Sequence, residues 1–170
     1  MSRAAAIVAG LVTLCAVPAV ATAEEGLFVA RASYGASTVH PDMPHIGQMW
    51  SLSSDLTLTE RTGLIGGAVL VLHDQARSLG LHLGIKTLLV ERFWKRLYIH
   101  LSPELVRVWQ HGKPPRWDAA LRLGLGYEHL LMWGFGVVIE LQANAPLGSG
   151  DAKRLTAAAA GATAGLFMEF

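Results

Sequence analysis

Cysteine is all but absent. The chain of 170 residues holds one, Cys15, which excludes a disulfide framework and a cysteine-based zinc site. Charge is scarce as well: 16% of the residues are charged, where a typical globular domain carries about 25%. The 14 Lys and Arg nearly balance the 13 Asp and Glu, so there is no basic footprint for nucleic acid. Disorder is excluded by the hydrophobic content of 52%. After residue 23 no uninterrupted apolar run is long enough for a membrane-spanning helix. No linker divides the chain, and its length suits one domain. So much apolar surface in so few charges has to face something.

The first 23 residues are of a different kind. MSRAAAIVAGLVTLCAVPAVATA joins Arg3 to an apolar stretch from Ala4 to Val20 and closes on Ala21-Thr22-Ala23, the small-x-small pattern of a cleavage site. This is the layout of a secretory signal, and the apolar stretch is shorter than the ~20 residues of a spanning helix. Leu14 precedes Cys15, where a lipid-anchoring signal needs a small residue, so no lipid anchor is expected. The expected mature chain is a single domain, 24–170, starting at Glu24. Without Arg3 it holds 13 basic and 13 acidic residues and is formally neutral.

What the mature part does have is alternation. Trp50, Leu52, Leu56 and Leu58 share one face of 50–60, and Ser51, Ser53, Asp55, Thr57 and Thr59 the other. Leu79, Leu81, Leu83, Ile85 and Leu89 oppose Gly80, His82, Gly84 and Lys86. A period of two with one polar face predicts strands. Eight are expected, over 26–37, 48–60, 64–75, 78–91, 95–109, 117–128, 134–144 and 154–170. Turn residues separate them, as at His40-Pro41-Asp42, Gly112-Lys113-Pro114-Pro115 and Gly148-Ser149-Gly150-Asp151. The stretch 64–75 is apolar on both faces and also fits a helix segment. The alanines of 154–170 favour a helix by propensity, but Gly161, Gly165 and the alternation of Leu166, Met168 and Phe170 favour a strand. Pro103 removes a ladder hydrogen bond and raises the expectation of a bulge, which would reverse the facing of Glu104 to Trp109.

The aromatic residues decide which solvent the apolar face meets. Tyr34, Trp50, Trp109 and Trp117 fall at one end of their strands, and Phe28, Phe93, Trp94, Tyr127, Trp133, Phe135, Phe167 and Phe170 at the other. Strand middles carry Leu, Ile and Ala instead. Two aromatic belts around an aliphatic band are what a lipid bilayer selects, and a strand protein crosses lipid only as a closed barrel. The fold expected is therefore all-β: an eight-stranded antiparallel up-and-down transmembrane β-barrel following a cleaved signal peptide. A soluble exported barrel holding an apolar ligand is the alternative in which the same faces point inward.

These features resemble the small eight-stranded outer-membrane barrels of the OmpA and OmpX type in Gram-negative bacteria. The resemblance rests on the signal with Ala21-Thr22-Ala23, the even strand count and the closing Leu166-Phe167-Met168-Glu169-Phe170. It implies an outer-membrane location and contact with outer-membrane lipid and lipopolysaccharide. It also implies that the C-terminal Phe170 is the signal read by the barrel-assembly machinery during insertion. The outer loops are short for that group, which argues against adhesion through long loops. The expected role is structural or interactive, as a monomer in the envelope.

With the mature N-terminus at the inner side, the inward faces collect Arg31, Ser33, Asp55, Thr57, His82, Lys86, His100, Ser102, Glu104, Arg122, Glu128, Glu140 and Gln142. Charges of both signs withdrawn from lipid pair with one another, and an eight-stranded interior is just wide enough for side chains to fill it. An ionic plug is expected rather than a pore, with Arg31 against Asp55, His82 against Glu104, and Arg122 against Glu140. Gly124 and Gly126 fall on this inward face and make room for long neighbours.

The one catalytic candidate is His100, Ser102 and Glu104, three alternate residues with the side-chain types of base, nucleophile and orienter. It resembles the His-x-Ser pair of outer-membrane lipid A deacylases, which implies a lipid-modifying hydrolase as the alternative function. In those enzymes Asn follows the Ser, the pair lies near the C-terminus and it faces lipid; here Pro103 follows, the pair is mid-chain, and Leu97, Ile99 and Leu101 take the lipid side. No cofactor or metal site is expected, because the seven histidines are scattered and lack metal-ligand spacing. Arg92, Lys95, Arg96, Lys153 and Arg154 lie near turns and suit lipid phosphates or solvent equally.

Overall fold

The computed structural model describes residues 28–40, 43–74, 76–147 and 159–170. The segment 1–23, with Cys15 and the cleavage motif, lies outside the described residues, as does Gly148-Ser149-Gly150-Asp151. Eight strands are formed: β1 (Phe28–His40), β2 (Met43–Thr57), β3 (Thr62–Leu72), β4 (Ala76–Arg92), β5 (Lys95–Gln110), β6 (Arg116–Met132), β7 (Phe135–Pro146) and β8 (Ala159–Glu169). Each pairs antiparallel with the next, and β8 returns to β1, so the sheet closes with no edge left unpaired. The Phe170 amide donates to the Phe28 carbonyl at 2.9 Å and ties the two chain ends of the barrel together.

The stretch expected at 64–75 is a strand, β3, and the alanine-rich 159–169 is a strand, not a helix. Its alanines and glycines lie between β7 and β1 on both sides, so tertiary pairing overrides local propensity. β2 starts at Met43, well before the expected 48, because His40↔Met43 already close the first hairpin.

Pro103 makes no bulge. The register on both sides of it, Leu101↔Leu123 and Glu104↔Ala120, is continuous. Pro103 is exposed on the outer wall, and Glu104, Val106 and Val108 keep their inward facing. The register shifts of β4 and β6 sit elsewhere, between Leu88 and Val90 and between Leu130 and Met132.

The β6–β7 hairpin corrects the expected register. Residues 129–133 are not a five-residue loop: Met132 pairs with Phe135, and the turn is Trp133-Gly134. Both turn residues have positive φ, 49° and 75°, the conformation of a type I′ hairpin, whose twist matches that of the strands it joins. Arg122 therefore faces Asn144, and Glu140 faces Gly126. The four-residue error in pairing follows from the turn, not from the strands.

The wall has two chemistries. Facing out are Leu56, Leu81, Leu83, Ile85, Leu101, Leu105, Leu123, Leu125, Ile139, Leu141 and Leu166, all exposed. Most strand charges face in. Trp109 and Trp117 lie at the end far from the termini, and Trp94, Trp133, Phe93 and Phe170 ring the terminal end, while Tyr34 and Trp50, expected in the far belt, pair at the middle of β1 and β2. Phe167 departs from the expected belt: it is buried, pointing inward with Val29, Tyr98 and Val138, with Leu88 and Leu130 packed against them. Because Leu166 and Met168 face out, the alternation of a strand sends Phe167 inside.

Candidate functional site

The barrel interior is where the described residues bury charge. Near the terminal end, β1, β2, β4 and β6 bring Arg31, Asp55, Lys86 and Glu128 together. Arg31 donates to Asp55 and to Glu128, its Nε reaching Glu128 Oε1 at 2.7 Å. Lys86 Nζ lies 2.7 Å from Asp55 Oδ2 and 3.2 Å from Glu128 Oε1. Two cations and two carboxylates thus form a closed square in which each charge touches both of opposite sign. The expected Arg31 and Asp55 contact is made, but diagonally: the residue level with Arg31 is Ser53. Tyr98 roofs the square, with Lys86 Nζ 4.3 Å from its ring centroid, a cation–π contact that helps hold the ammonium away from water.

Tyr98 is the residue that the inward list lacks. It has the same parity as His100 and Ser102, and the structure leaves it fully buried. Its hydroxyl donates to Glu140 Oε2 at 2.8 Å. Room for it comes from Gly126, where a Cβ would run into the Tyr98 ring, and Gly124 does the same for His100. The inward glycines of β6 are space for side chains of β5.

Farther from the termini the contacts are sparser. Arg122 Nη1 lies 3.3 Å from Glu104 Oε1, and Asn144 Nδ2 donates to Glu104 Oε2 at 2.8 Å. Arg122 and Glu140 share the inner face but do not pair, as the hairpin register requires; Glu140 goes instead to Tyr98 and His100. His82 and Glu104 are level partners, yet they do not bond. Glu104 lies over Gly80, where a Cβ would strike its carboxylate, and this turns it toward Arg122. Neither ring nitrogen of His82 has a hydrogen-bond partner. The imidazole stacks near His100, with centroids 6.1 Å apart.

Above this layer, toward the far end, the described residues leave a vestibule of about 60 Å³. Val69, Val71, Val106 and Val108 form its walls, and Glu104, Arg122, Gln142 and Asn144 its floor. The terminal end is shut by Phe167 and by Arg96, whose guanidinium holds Glu169 with two bonds of 2.9 and 3.0 Å. Arg96 therefore faces the barrel mouth and not lipid phosphate. Ser33 and Gln142 face inward, while Thr57 ends β2 at the exposed rim.

The catalytic candidate is assembled differently from the expectation. His100 Nδ1 lies 3.4 Å from Ser102 Oγ, but the carboxylate on the other ring nitrogen is Glu140, with Nε2 3.3 Å from Oε1. That pair is misaligned for a hydrogen bond. Glu104, four residues along the same strand, is engaged by Arg122. Ser102 and His100 are buried and do not line the vestibule. Tyr127, outside on the same strand as Arg122, places its hydroxyl 3.5 Å from His129 Nδ1.

No protein-family model matches the chain, and no curated protein matches it by sequence. Its fold is that of solved small barrels. Neisserial surface protein A superposes with a TM-score of 0.69 at 9% identity, over 87% of this chain and 100% of that one. Ail, the attachment invasion locus protein of Yersinia pestis, superposes with a TM-score of 0.57 at 14% identity, over 86% of this chain and 100% of that one. A de novo designed transmembrane β-barrel matches at 0.54 and 9% identity, over 87% and 98%. At such identities the likeness is one of architecture.

Proposed function

We propose that this chain is a small outer-membrane barrel of a Gram-negative envelope, closed by an ionic plug and serving a structural or interaction role as a monomer. The observation that carries the reading is the division of the wall. Aliphatic side chains between two aromatic levels are exposed outward, while Arg31, Asp55, Lys86, Glu104, Arg122 and Glu128 are buried inward. A soluble barrel binding an apolar ligand needs the reverse, because exposed aliphatic area of this extent is unfavourable in water. A pore is disfavoured by the charge square and by Phe167, which occupy the lumen that ions would cross.

In this reading the leader 1–23 directs export, Phe170 is the end of β8 that the barrel-assembly machinery engages, and lipid with lipopolysaccharide surrounds the wall. The contact of Ser102, His100 and Glu140 is lumen packing and not a lipid-modifying site. Fractionation with gel mobility tests the whole: the chain is expected in outer membranes, migrating differently before and after heating. Recovery in the soluble periplasmic fraction overturns the reading. Deleting Phe170 is expected to lower membrane insertion while leaving export intact, measured as protein held in the periplasm against protein in the heat-shifted band. Unchanged membrane yield removes the role given to Phe170.

A further inference from the structure

Arg77 and Arg107 break the rule of the wall. In the strands away from the terminal rim every carboxylate, Asp55, Glu104, Asp118, Glu128 and Glu140, has the inward parity. Arg77 and Arg107 instead lie on the outer face, on adjacent strands, near the far end. The register sets them among tryptophans: Arg77↔Trp109 and Leu79↔Arg107 between β4 and β5, and Arg107↔Trp117 between β5 and β6. The Arg107 guanidinium lies 5.0 Å from the Trp117 ring centroid and 5.8 Å from that of Trp109. Trp109 and Trp117 are themselves outward and exposed. Among the described residues neither arginine forms an ion pair, Asp74 in the nearby turn included.

Stacking on indole uses the face of a guanidinium and leaves its edge of N–H donors free, the edge that matches a phosphate with two parallel bonds. The tryptophans fix the level, since indoles settle where headgroups meet acyl chains. Directly toward the barrel middle, Leu81, Leu105 and Leu123 continue the same face as exposed aliphatics. Along β4 to β6 the cations and indoles thus share one level, Arg77 with Trp109 and Arg107 with Trp117, and aliphatic surface follows toward the middle, as a headgroup boundary is followed by acyl chain.

We infer that the outer face of β4, β5 and β6 at the far end is a binding site for a phosphorylated lipid, with Arg77 and Arg107 holding the phosphate and Trp109 and Trp117 bounding it. This rests on the membrane reading above and deepens it. At the headgroup level an arginine with no carboxylate partner among the described residues keeps its donors free for an anion, and the leaflet supplies one.

The test uses the whole barrel folded into nanodiscs that contain lipid A, its dephosphorylated form, or neither. Lipid retained after extraction is read by native mass spectrometry. The wild type is expected to retain lipid A over the dephosphorylated lipid by about tenfold. The double variant Arg77→Gln, Arg107→Gln is expected to lose that preference, while Arg92→Gln at the terminal end keeps it. Arg107→Lys, which keeps the charge but not the fork, is expected to fall between. Equal retention of both lipids by the wild type, or full preference in the double variant, overturns the proposal. So does displacement by millimolar inorganic phosphate, which makes the site one for a free anion. The heat-shifted band is read on every sample: a wild type that never inserts refutes the membrane reading, whereas inserted protein without lipid preference refutes this site alone. A double variant that fails to insert is replaced by Arg77→Lys with Arg107→Lys, which is expected to lower the preference, and an unchanged preference there also overturns it.

Discussion

The two halves of the lumen solve the same problem to different degrees. In the terminal half Arg31, Lys86, Asp55 and Glu128 form a closed square in which only Glu128 Oε2 lacks a hydrogen-bond partner, Tyr98 covers them, and Phe167 fills the space below. In the far half Arg122 and Glu104 meet at 3.3 Å, and Arg122 Nε, Gln142 Oε1 and Asn144 Oδ1 have no hydrogen-bond partner within the protein. The difference follows from side-chain volume. Tyr98, Phe167 and Arg96 crowd one end, while the inward face of the other carries Val69, Val71, Val106 and Val108, too short to reach the middle. Charge is buried along the whole lumen, but only in the terminal half does it close into a square of mutual contacts.

That contrast orders the substitutions. The largest loss is expected from Arg31→Met, which leaves Asp55 and Glu128 facing each other with only Lys86 between them. A broken buried pair costs ~3 to 5 kcal/mol, to be measured as urea unfolding of the barrel in lipid vesicles; a loss below ~1 kcal/mol would show that the square is hydrated. A smaller loss, about 2 kcal/mol, is expected from Arg122→Met, because Asn144 still bonds Glu104. Adding Glu104→Leu should recover much of it, whereas a double-mutant cycle of Arg122 with Glu140 should show coupling within ~0.5 kcal/mol of zero. Strong coupling to Glu140 would restore the register that the Trp133-Gly134 turn excludes. The smallest effect is expected from Gln142→Leu at the vestibule floor, which removes a carbonyl that no protein group satisfies. Its unfolding free energy should change by less than ~1 kcal/mol, and a large loss would mean that the two halves are equally tight.

The sequence made the wall legible and the lumen only partly so. Eight strands followed from alternation, because a bilayer outside and charge inside give each face one chemistry. Parity alone placed Arg31, His82, Lys86, His100, Arg122 and Glu128 inward, and it also places Tyr98 there. Which of them touch depends on register, and register depends on turns. The Trp133-Gly134 turn keeps only the glycine of the usual Asn-Gly marking of a type I′ turn, so the sequence points to a longer loop and a displaced β6–β7 pairing, and with it to the wrong partner for Arg122. The Glu104 direction was hidden for another reason: it is set by an inward glycine, Gly80, on the neighbouring strand. Phe167 was read by its height along β8 instead of its face, since the inward and outward residues before it, Gly165 and Ala164, are alike in size.

The most direct test places a nitroxide label at the middle of the outer wall, on Leu101→Cys, where Leu123 and Ile85 are its level neighbours on either side. In lipid vesicles the label is expected to collide far more often with dissolved oxygen, which concentrates in the acyl region, than with a water-soluble nickel chelate. More frequent collision with the chelate would put the aliphatic band in water and contradict the division of the wall on which the account stands.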